Sequence, residues 1–414
     1  MRISDHEARL LELNRLEGDA KENLSRTTPV YFKSANHHLP VFKIEIDFPK
    51  YRIENGRTKR KQILFKHEHP DRAHLLDDPS SDEAQEIQES ILMRMVDDEG
   101  LIDLLHQGQH EPLLLSYDGY VVNGNRRLAA MRQIHSDPKL AKSTLDFSSI
   151  DVARLPELPE KEIRRIEARL QMSKDGKADY NWVDELLLID ENLSTYEMRP
   201  EDLARDMNKR KSTIELQQMM LLLVNQFLEK NNMKGQYFRV EADEQAFKTL
   251  AKGYQAIRGN LARRERLVDA AFPMISFPEP GESKHKRILK LIDNLDTVVE
   301  HANTLLEKTQ VPELAQPPED SLSTVRETDQ VRLTPLEINR ESSEVIHEAI
   351  RQVDRKNQIE DAANGPFEAA AQAATLVKTI KITNKTTKIS QLRGQLKVIR
   401  KSCDELLEQL GKQD

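Results

Sequence analysis

The chain has 414 residues, a formal net charge of −8, and 38% hydrophobic, 32% charged and 5% aromatic residues. A chain of this length exceeds one ordinary hydrophobic core, so we expect two or three domains. No run approaches the ~18 consecutive apolar residues of a membrane span, and the first residues lack the apolar core of a signal peptide. We therefore expect a cytoplasmic protein without membrane contact. The single cysteine, Cys403, excludes an internal disulfide and a cysteine-rich zinc site.

Two basic segments stand out against the negative net charge. Residues 51–66 carry six Lys or Arg against one Glu, and residues 369–403 carry eight Lys or Arg and no acid. Contacts with phosphate require a local positive potential, not a positive total. Each segment taken alone fits a solvated helix face equally well, so composition leaves both interpretations open.

The residues up to 158 predict an N-terminal helical arm and a small mixed-sheet domain. Residues 4–24 form a charged amphipathic pattern within an arm over 1–37, and strand and helix patterns mix from 38 to 158. The predicted elements are a strand at 39–47, a helix at 84–105, a hairpin of 113–116 and 120–122 that turns at Asp118-Gly119, and a helix at about 126–135.

The pattern changes to helices alone after Pro159. We expect an all-α domain over 159–310, then a linker over 311–340, which holds four prolines and many polar residues. A last helical segment covers 341–414. The predicted fold class is therefore α+β, with a small mixed sheet followed by helices.

The sharpest local motif joins the second strand of the hairpin to the next helix. The strand ends at Val122, Asn123-Gly124-Asn125 form a tight turn, and Arg126-Arg127 open the helix. Gly124 permits backbone angles that other residues avoid, and Asn125 is the expected N-cap. The amide groups at a helix start favour an anion, and two guanidinium groups add bidentate phosphate contacts. Spacing alone also fits a purely structural turn.

This motif resembles the Gly-x-Arg-Arg box of the ParB/sulfiredoxin superfamily, which grips nucleoside triphosphate in chromosome-partition proteins. The flanking segments are similar too. They are Glu89-Ser-Ile91 to Gly100-Leu-Ile102, Glu111-Pro-Leu-Leu-Leu115, Ile166-Glu-Ala-Arg-Leu-Gln171 against the family's third box, and Arg199-Pro to Thr213-Ile214 against its helix-turn-helix. The four elements occur in the family's order over about 40–228, so the resemblance implies a ParB-like fold over half the chain.

The resemblance also implies a phosphate site for a nucleoside triphosphate with Mg²⁺. The residues that it assigns to this site are Asn123, Gly124, Asn125, Arg126, Arg127 and Gln171. Asn125 replaces the family's acidic residue, which is tied to CTP hydrolysis, so we expect slow or absent turnover and assign no catalytic residue. The loop lacks the cysteine of the sulfiredoxin branch. Asp118 and Glu111 could serve a kinase of the same superfamily, but they fit a turn and a strand edge more simply.

The predicted helix-turn-helix spans about 199–224. Pro200 suits the first turn of a helix, Leu203, Ala204 and Met207 form its buried face, and Ile214 belongs to the second helix. The chemistry for phosphate and base-edge contacts lies at the start of that second helix. The predicted DNA-binding residues are Lys209, Arg210, Lys211, Ser212 and Thr213. Three-helix domains without DNA contact share this pattern.

Two helical segments carry apolar residues at heptad spacing. In the segment 387–411 the seam is Ile389, Leu392, Leu396, Ile399, Cys403, Leu406 and Leu410, which predicts a coiled-coil-like contact and a homo-oligomer. Residues 288–305 show the same spacing, and the two seams could also pair within one chain. The histidines, such as His67 and His69, lack partners at metal-ligand spacing, so no metal site is predicted.

The sequence therefore favours a ParB-like DNA-binding protein whose box binds a nucleotide or DNA-backbone phosphate. Partitioning, gene control and defence against foreign DNA all fit, with an ATPase or a nuclease as a further partner. One alternative is an enzyme on the same fold, either a nuclease or a nucleotide-consuming NTPase or kinase. Another is a scaffold in which the box is a relic.

Overall fold

The computed structural model describes residues 6–23, 25–54, 56–95, 105, 108–137, 147–171, 181–309, 339–382 and 388–411. The chain forms two compact units, Met1–Ile350 and Arg351–Asp414. A mixed sheet lies in the N-terminal half of the first unit, and helices make up its C-terminal half. The predicted α+β class is thereby confirmed.

Six strands form the sheet in the order β1-β2-β6-β4-β5-β3. Their bounds are β1 (Thr27–Phe32), β2 (Ala35–Glu45), β3 (Lys50–Tyr51), β4 (Leu113–Leu115), β5 (Tyr120–Asn123) and β6 (Ser149–Arg154). β4 and β5 pair antiparallel around Gly119, as predicted, whereas β4 pairs parallel with β6. In β2, Phe42 and Ile44 are buried while Lys43 and Glu45 are exposed, the alternation expected of a strand with one core face.

Among the described residues of the N-terminal half, four α-helices accompany the strands: α1 (His6–Glu22), α2 (Lys59–Glu68), α3 (Asp82–Met93) and α4 (Asn125–Ser136). Leu13 of α1, Leu113 of β4 and Leu128 of α4 are fully buried in one core cluster. The segment expected to be an arm thus belongs to the sheet domain: Leu13 packs in its core, and β1 pairs with β2. Pro29 interrupts the strand pattern of β1, so the sequence did not predict this strand.

Eight α-helices follow within the described residues between 160 and 309. They are α5 (Glu160–Gln171), α6 (Trp182–Ser194), α7 (Pro200–Asp206), α8 (Lys211–Lys230), α9 (Glu244–Ala256), α10 (Leu261–Ser276), α11 (Lys284–Asp293) and α12 (Leu295–Thr309). The heptad pattern of 288–305 is split between α11 and α12 at Asn294. Ile288, Leu291 and Val298 from this pattern are all buried within the unit, so this seam packs inside the chain.

The last helices are α13 (Arg340–Thr379) and α14 (Ile389–Leu410). The predicted linker at 311–340 lies almost wholly outside the described residues. No side chain of α14 is buried in the described structure, and Ile389, Leu406 and Leu410 are exposed. The homo-oligomer therefore stays a prediction. No helix in the described ranges combines the length and the apolar character that crossing a membrane requires.

The buried guanidinium of Arg164 joins the sheet domain to the helices that follow. Arg164 lies on α5 and contacts the Glu160 carboxylate at 3.0 Å and the Glu167 carboxylate at 3.1 Å. It also donates to the Tyr196 hydroxyl at 2.8 Å and to the backbone oxygen of Glu54. Burial alone would lower the pKa of Arg164, but the surrounding carboxylates raise it above its ordinary value.

The same network fixes the loop between β3 and α2. The backbone N–H of Gly56 donates to the Glu167 carboxylate at 3.2 Å, and the Lys59 ammonium lies 2.9 Å from the Glu191 carboxylate. Glu191 is itself 3.6 Å from Arg164. α5 and α6 therefore hold this loop through charged side chains.

We expect Arg164→Met to lower the free energy of unfolding by about 3–5 kcal/mol, because it leaves the buried Glu167 carboxylate without its cation. Urea unfolding followed by circular dichroism measures this change. Arg199→Met is the matched control, because the Arg199 side chain is 76% exposed and forms a surface pair with Asp202. Equal stability of the two variants would contradict a central role for Arg164.

Candidate functional site

Gly124 forms the N-cap of α4, at the point where β5 ends. Its φ is +106°, and a Cβ built there would lie 2.4 Å from Leu113 Cδ2. Leu113 is fully buried and cannot move aside without disturbing the core. Both the backbone angle and the contact therefore demand glycine. Helical bonding begins where the Leu128 N–H donates to the Gly124 oxygen at 2.8 Å.

Asn125 is the first residue of α4, so the prediction that it caps the helix was wrong. Its Nδ2 group donates back to the Val121 oxygen at 2.8 Å, and the residue is buried. Its Oδ1 atom accepts no hydrogen bond from any described residue. The N-cap Gly124 supplies no side chain to cap α4, and the N–H groups of a first turn have no acceptor inside the helix. The positive end of α4 can therefore receive an anion.

The two arginines of the box point in different directions. Arg126 donates to the Met95 oxygen at 3.1 Å, just beyond α3. Arg127 donates to the Glu111 oxygen at 3.1 Å, and one of its terminal nitrogens lies 3.2 Å from the Cβ position at Gly124. Burial lowers the pKa of Arg127, Glu111 raises it, and the charge of Arg57 lowers it further. The site thus holds guanidinium groups that repel each other.

Three more cations from other elements interact electrostatically with this group: Arg57 with Arg127, and Lys61 with both Arg126 and Arg94. The sequence did not reveal this grouping. Arg57 lies in the loop before α2, Lys61 in α2, and Arg94 at the C-cap of α3. Burial is the main cause that lowers the pKa of Lys61, and Arg60, Arg94 and Arg126 lower it further against the opposing charge of Asp184. We call Arg57, Lys61, Arg94, Arg126 and Arg127 the basic cluster.

Other cations of the basic segment 51–66 are engaged in ion pairs. Arg60 Nε lies 3.1 Å from the Asp184 carboxylate of α6, and Arg60 also pairs with Glu241. Burial raises the pKa of Asp184, while Arg60 and Lys61 oppose that change. The cations of this segment thus divide between the basic cluster and ion pairs with the helical domain, a division that composition cannot predict.

The remaining residues of the predicted phosphate site lie at the edges of α5 and β5. Asn123 is half-buried at the end of β5, beside Gly124. Gln171 is the last residue of α5, and its side chain lies outside the described part of the chain. Glu167, from the segment that resembles the third box, was not predicted as a site residue. It contacts Gly56 and so positions the loop that carries Arg57.

α7 and α8 lie where the sequence predicts the helix-turn-helix. Residues 207–210 connect them, and Asn208 adopts a positive φ of +51°. Leu203, Met207 and Ile214 are buried, as expected of the packed face. Asp206 accepts from Arg165 and Arg169 of α5, each at 2.7 Å. α7 is therefore fixed against α5.

The five predicted DNA-binding residues differ in their surroundings. Arg210, Lys211 and Ser212 are exposed, and Thr213 is half-buried. Lys211 pairs with Glu201 at 2.6 Å, whereas Lys209 is partly buried, pairs with Glu185 of α6 and contacts Gln217 at 3.3 Å. The exposed cations at the start of α8 are thus Arg210 and Lys211, while Lys209 connects α8 to α6.

We expect Gly124→Ala to destabilise the chain by about 2–4 kcal/mol, because a left-handed backbone angle and a clash with a packed core both oppose the methyl group. Gly281→Ala is the control: its φ is +83°, but nothing lies within 4 Å of the Cβ position. That control should cost only about 1 kcal/mol. Thermal unfolding of both variants measures the difference, and equal losses would refute the close contact with Leu113.

No protein-family model matches the chain, and no curated protein matches it. Two solved structures of the C-terminally truncated chromosome-partitioning protein ParB from Caulobacter crescentus are similar to it. The complex with the centromeric parS site is 16% identical, with a TM-score of 0.24, covering 51% of this chain and 88% of that chain. The complex with CTP-gamma-S is 18% identical, with a TM-score of 0.16, covering 38% and 79% respectively. At TM-scores this low, the likeness transfers no residue role to this chain.

Proposed function

We propose that the chain is a ParB-like DNA-binding protein whose basic cluster binds a nucleoside triphosphate with Mg²⁺. The observation that carries this proposal is the position of Arg126 and Arg127 in the first turn of α4, whose N-cap is Gly124, within electrostatic range of Lys61 and Arg57 respectively. A triphosphate supplies several negative charges within a few ångströms. Its binding relieves the mutual repulsion of Arg127 and Arg57 and gives the first-turn amides of α4 an acceptor.

Binding without rapid turnover fits the surroundings of Asn125. Its amide donates to the Val121 oxygen and has no group that can take a proton from water. The carboxylates that a kinase would need have structural partners: Asp118 accepts from the Ser116 hydroxyl at 2.5 Å, and Glu111 lies 3.4 Å from Arg127. The nucleotide then acts as a signal rather than a substrate.

The proposed signal runs from α2 through α6 to α8. Lys61 of the basic cluster is adjacent to Arg60, which pairs with Asp184. The next residue of α6, Glu185, pairs with Lys209 before α8. An anion that attracts Lys61 changes the electrostatic field at the pair of Arg60 and Asp184. The neighbouring pair of Glu185 and Lys209 transmits that change towards the proposed DNA-binding helix.

Nucleotide binding should depend on both arginines of the box. Arg126→Ala and Arg127→Ala each remove a charge-assisted contact of about 1.5–3 kcal/mol, so each should weaken binding roughly ten- to a hundredfold. Titration calorimetry with CTP, ATP and GTP measures the affinity, and Arg199→Ala serves as a matched control on an exposed arginine. Melting curves check that each variant folds, because Arg126 also donates to Met95.

A phosphate-release assay distinguishes a switch from an enzyme. Binding with little release supports the proposal, and rapid release or DNA cleavage would assign the chain to the enzymatic alternative. Absence of binding to all three nucleotides would leave the cluster as a clamp for DNA-backbone phosphate or as a relic.

Exposed cations at the start of α8 support the assignment of DNA as the partner. Arg210 and Lys211 lie at the beginning of a helix of 20 residues, the position from which recognition helices contact base edges and phosphates. Asp206 and its two arginines keep α7 in place beside it. Partitioning, gene control and defence against foreign DNA remain alternatives for the process, with an ATPase or a nuclease as the corresponding partner.

The salt dependence of DNA binding should identify these cations. Each phosphate contact contributes about −0.9 to the slope of log K against log salt. Arg210→Ala and Lys211→Ala should each flatten the slope by about that amount on a DNA duplex. Lys209→Ala should change the slope less, because the Lys209 side chain is only 18% exposed beside Glu185, whereas that of Lys211 is 51% exposed although it pairs with Glu201. If Arg210→Ala and Lys211→Ala both keep the wild-type slope, DNA contact lies elsewhere.

A further inference from the structure

A third basic segment, residues 245–266, covers most of α9, the connection to α10 and the first residues of α10. Residues 245–266 carry six Lys or Arg and one Glu, in a chain whose net charge is −8. The four residues 257–260 connect the two helices. Arg258, Gly259 and Asn260 are exposed there, and Leu261, which begins α10, is 64% exposed.

This connection lies beside the start of α8. Gln255, near the end of α9, donates to the backbone oxygen of Glu215 in α8 at 3.2 Å. Glu215 lies 3.7 Å from Lys211, one of the exposed cations at the start of α8. The connection and the proposed DNA-binding residues are therefore neighbours on the surface.

The connection has a defined conformation. Arg264 donates to the Tyr254 oxygen at 3.1 Å and to the Ile257 oxygen at 2.7 Å, and its guanidinium lies 4.8 Å from the centre of the Tyr254 ring. Asn260 caps α10 by accepting from the Arg263 N–H at 2.9 Å. These bonds fix both ends of the turn, so Arg258 projects from a rigid support.

Most of the neighbouring cations have partners, whereas Arg258 has no ion-pair partner within the part of the chain that the structure describes. Arg263 and Arg266 both pair with Asp296, at 3.1 and 3.6 Å, and Arg264 is held by backbone oxygens. Arg258 is exposed and forms no ion pair with any residue in the described ranges. It is the cation of this connection that remains open to an anion outside the chain.

We propose that the connection 257–260 binds the DNA backbone beside the groove that α8 enters, with Arg258 on a phosphate. This inference rests on the proposed function, because it takes α8 as the helix in the groove. Packed helices lie about 8–10 Å apart, and the major groove is about 12 Å wide. An element packed next to the recognition helix therefore meets the phosphates at the groove edge rather than the bases.

The test uses the full chain and a random-sequence DNA duplex, with anisotropy measured between about 50 and 200 mM salt. Arg258→Ala should flatten the slope by about 0.9, equivalent to about eightfold weaker binding at 0.1 M salt. Arg258→Lys keeps the charge and should keep the slope. Lys234→Ala is the control, because its exposed side chain follows the far end of α8, about 30 Å from Lys211 at 1.5 Å per residue.

The outcomes separate this inference from the proposed function. A wild-type slope for Arg258→Ala, together with flattened slopes for Arg210→Ala and Lys211→Ala, would overturn the inference and leave the proposed function intact. Wild-type slopes for all three would overturn both. Tighter binding of an RNA hairpin than of the duplex, lost in Arg258→Ala, would assign the surface to RNA and also overturn the inference.

Discussion

The buried positive charge of Arg164 is the constraint around which the first unit is arranged. A guanidinium without water requires several acceptors, and here they come from three separate parts of the chain. Glu54 belongs to the loop after β3, Glu167 to α5, and Tyr196 to the segment after α6. Satisfying one side chain therefore brings the sheet, its loop and the helical domain together, and it defines where the loop with Arg57 must lie.

In the basic cluster, this arrangement brings charges of the same sign within range of each other, so that they repel. Lys61 and Arg127 are both held where burial and neighbouring cations disfavour their charged forms. The carboxylates of Glu111 and Asp184 offset this effect only in part, and repulsion between like charges lowers the stability of the folded chain. Under the proposed function, a bound anion would relieve this repulsion and would thereby gain binding energy.

The sequence predicted many of the strands, turns and helices around the site, but fewer of the contacts within it. Some features depend only on neighbouring residues and can therefore be predicted without knowledge of the fold. They are the alternation in β2, the Asp118-Gly119 turn and the glycine at position 124. The prediction of Asn125 as the N-cap was wrong because asparagine in general favours that position, whereas here its side-chain amide donates to the Val121 oxygen. The meeting of Lys61 with Arg94 and Arg126, and the pairing of Lys209 with Glu185, join residues far apart in sequence. No periodicity encodes such contacts.

Asp184 and Glu185 occupy successive positions on α6, and successive residues of an α-helix point about 100° apart. One carboxylate faces Arg60 of α2, and the other faces Lys209 before α8. Rotation of α6 about its own axis would break both pairs together, whereas movement of the three elements as one body would keep both. The two ion pairs thus fix the rotational position of α6 relative to α2 and to the start of α8. Insertion or deletion of one residue at this point of the helix would therefore leave only one of the two ion pairs in place.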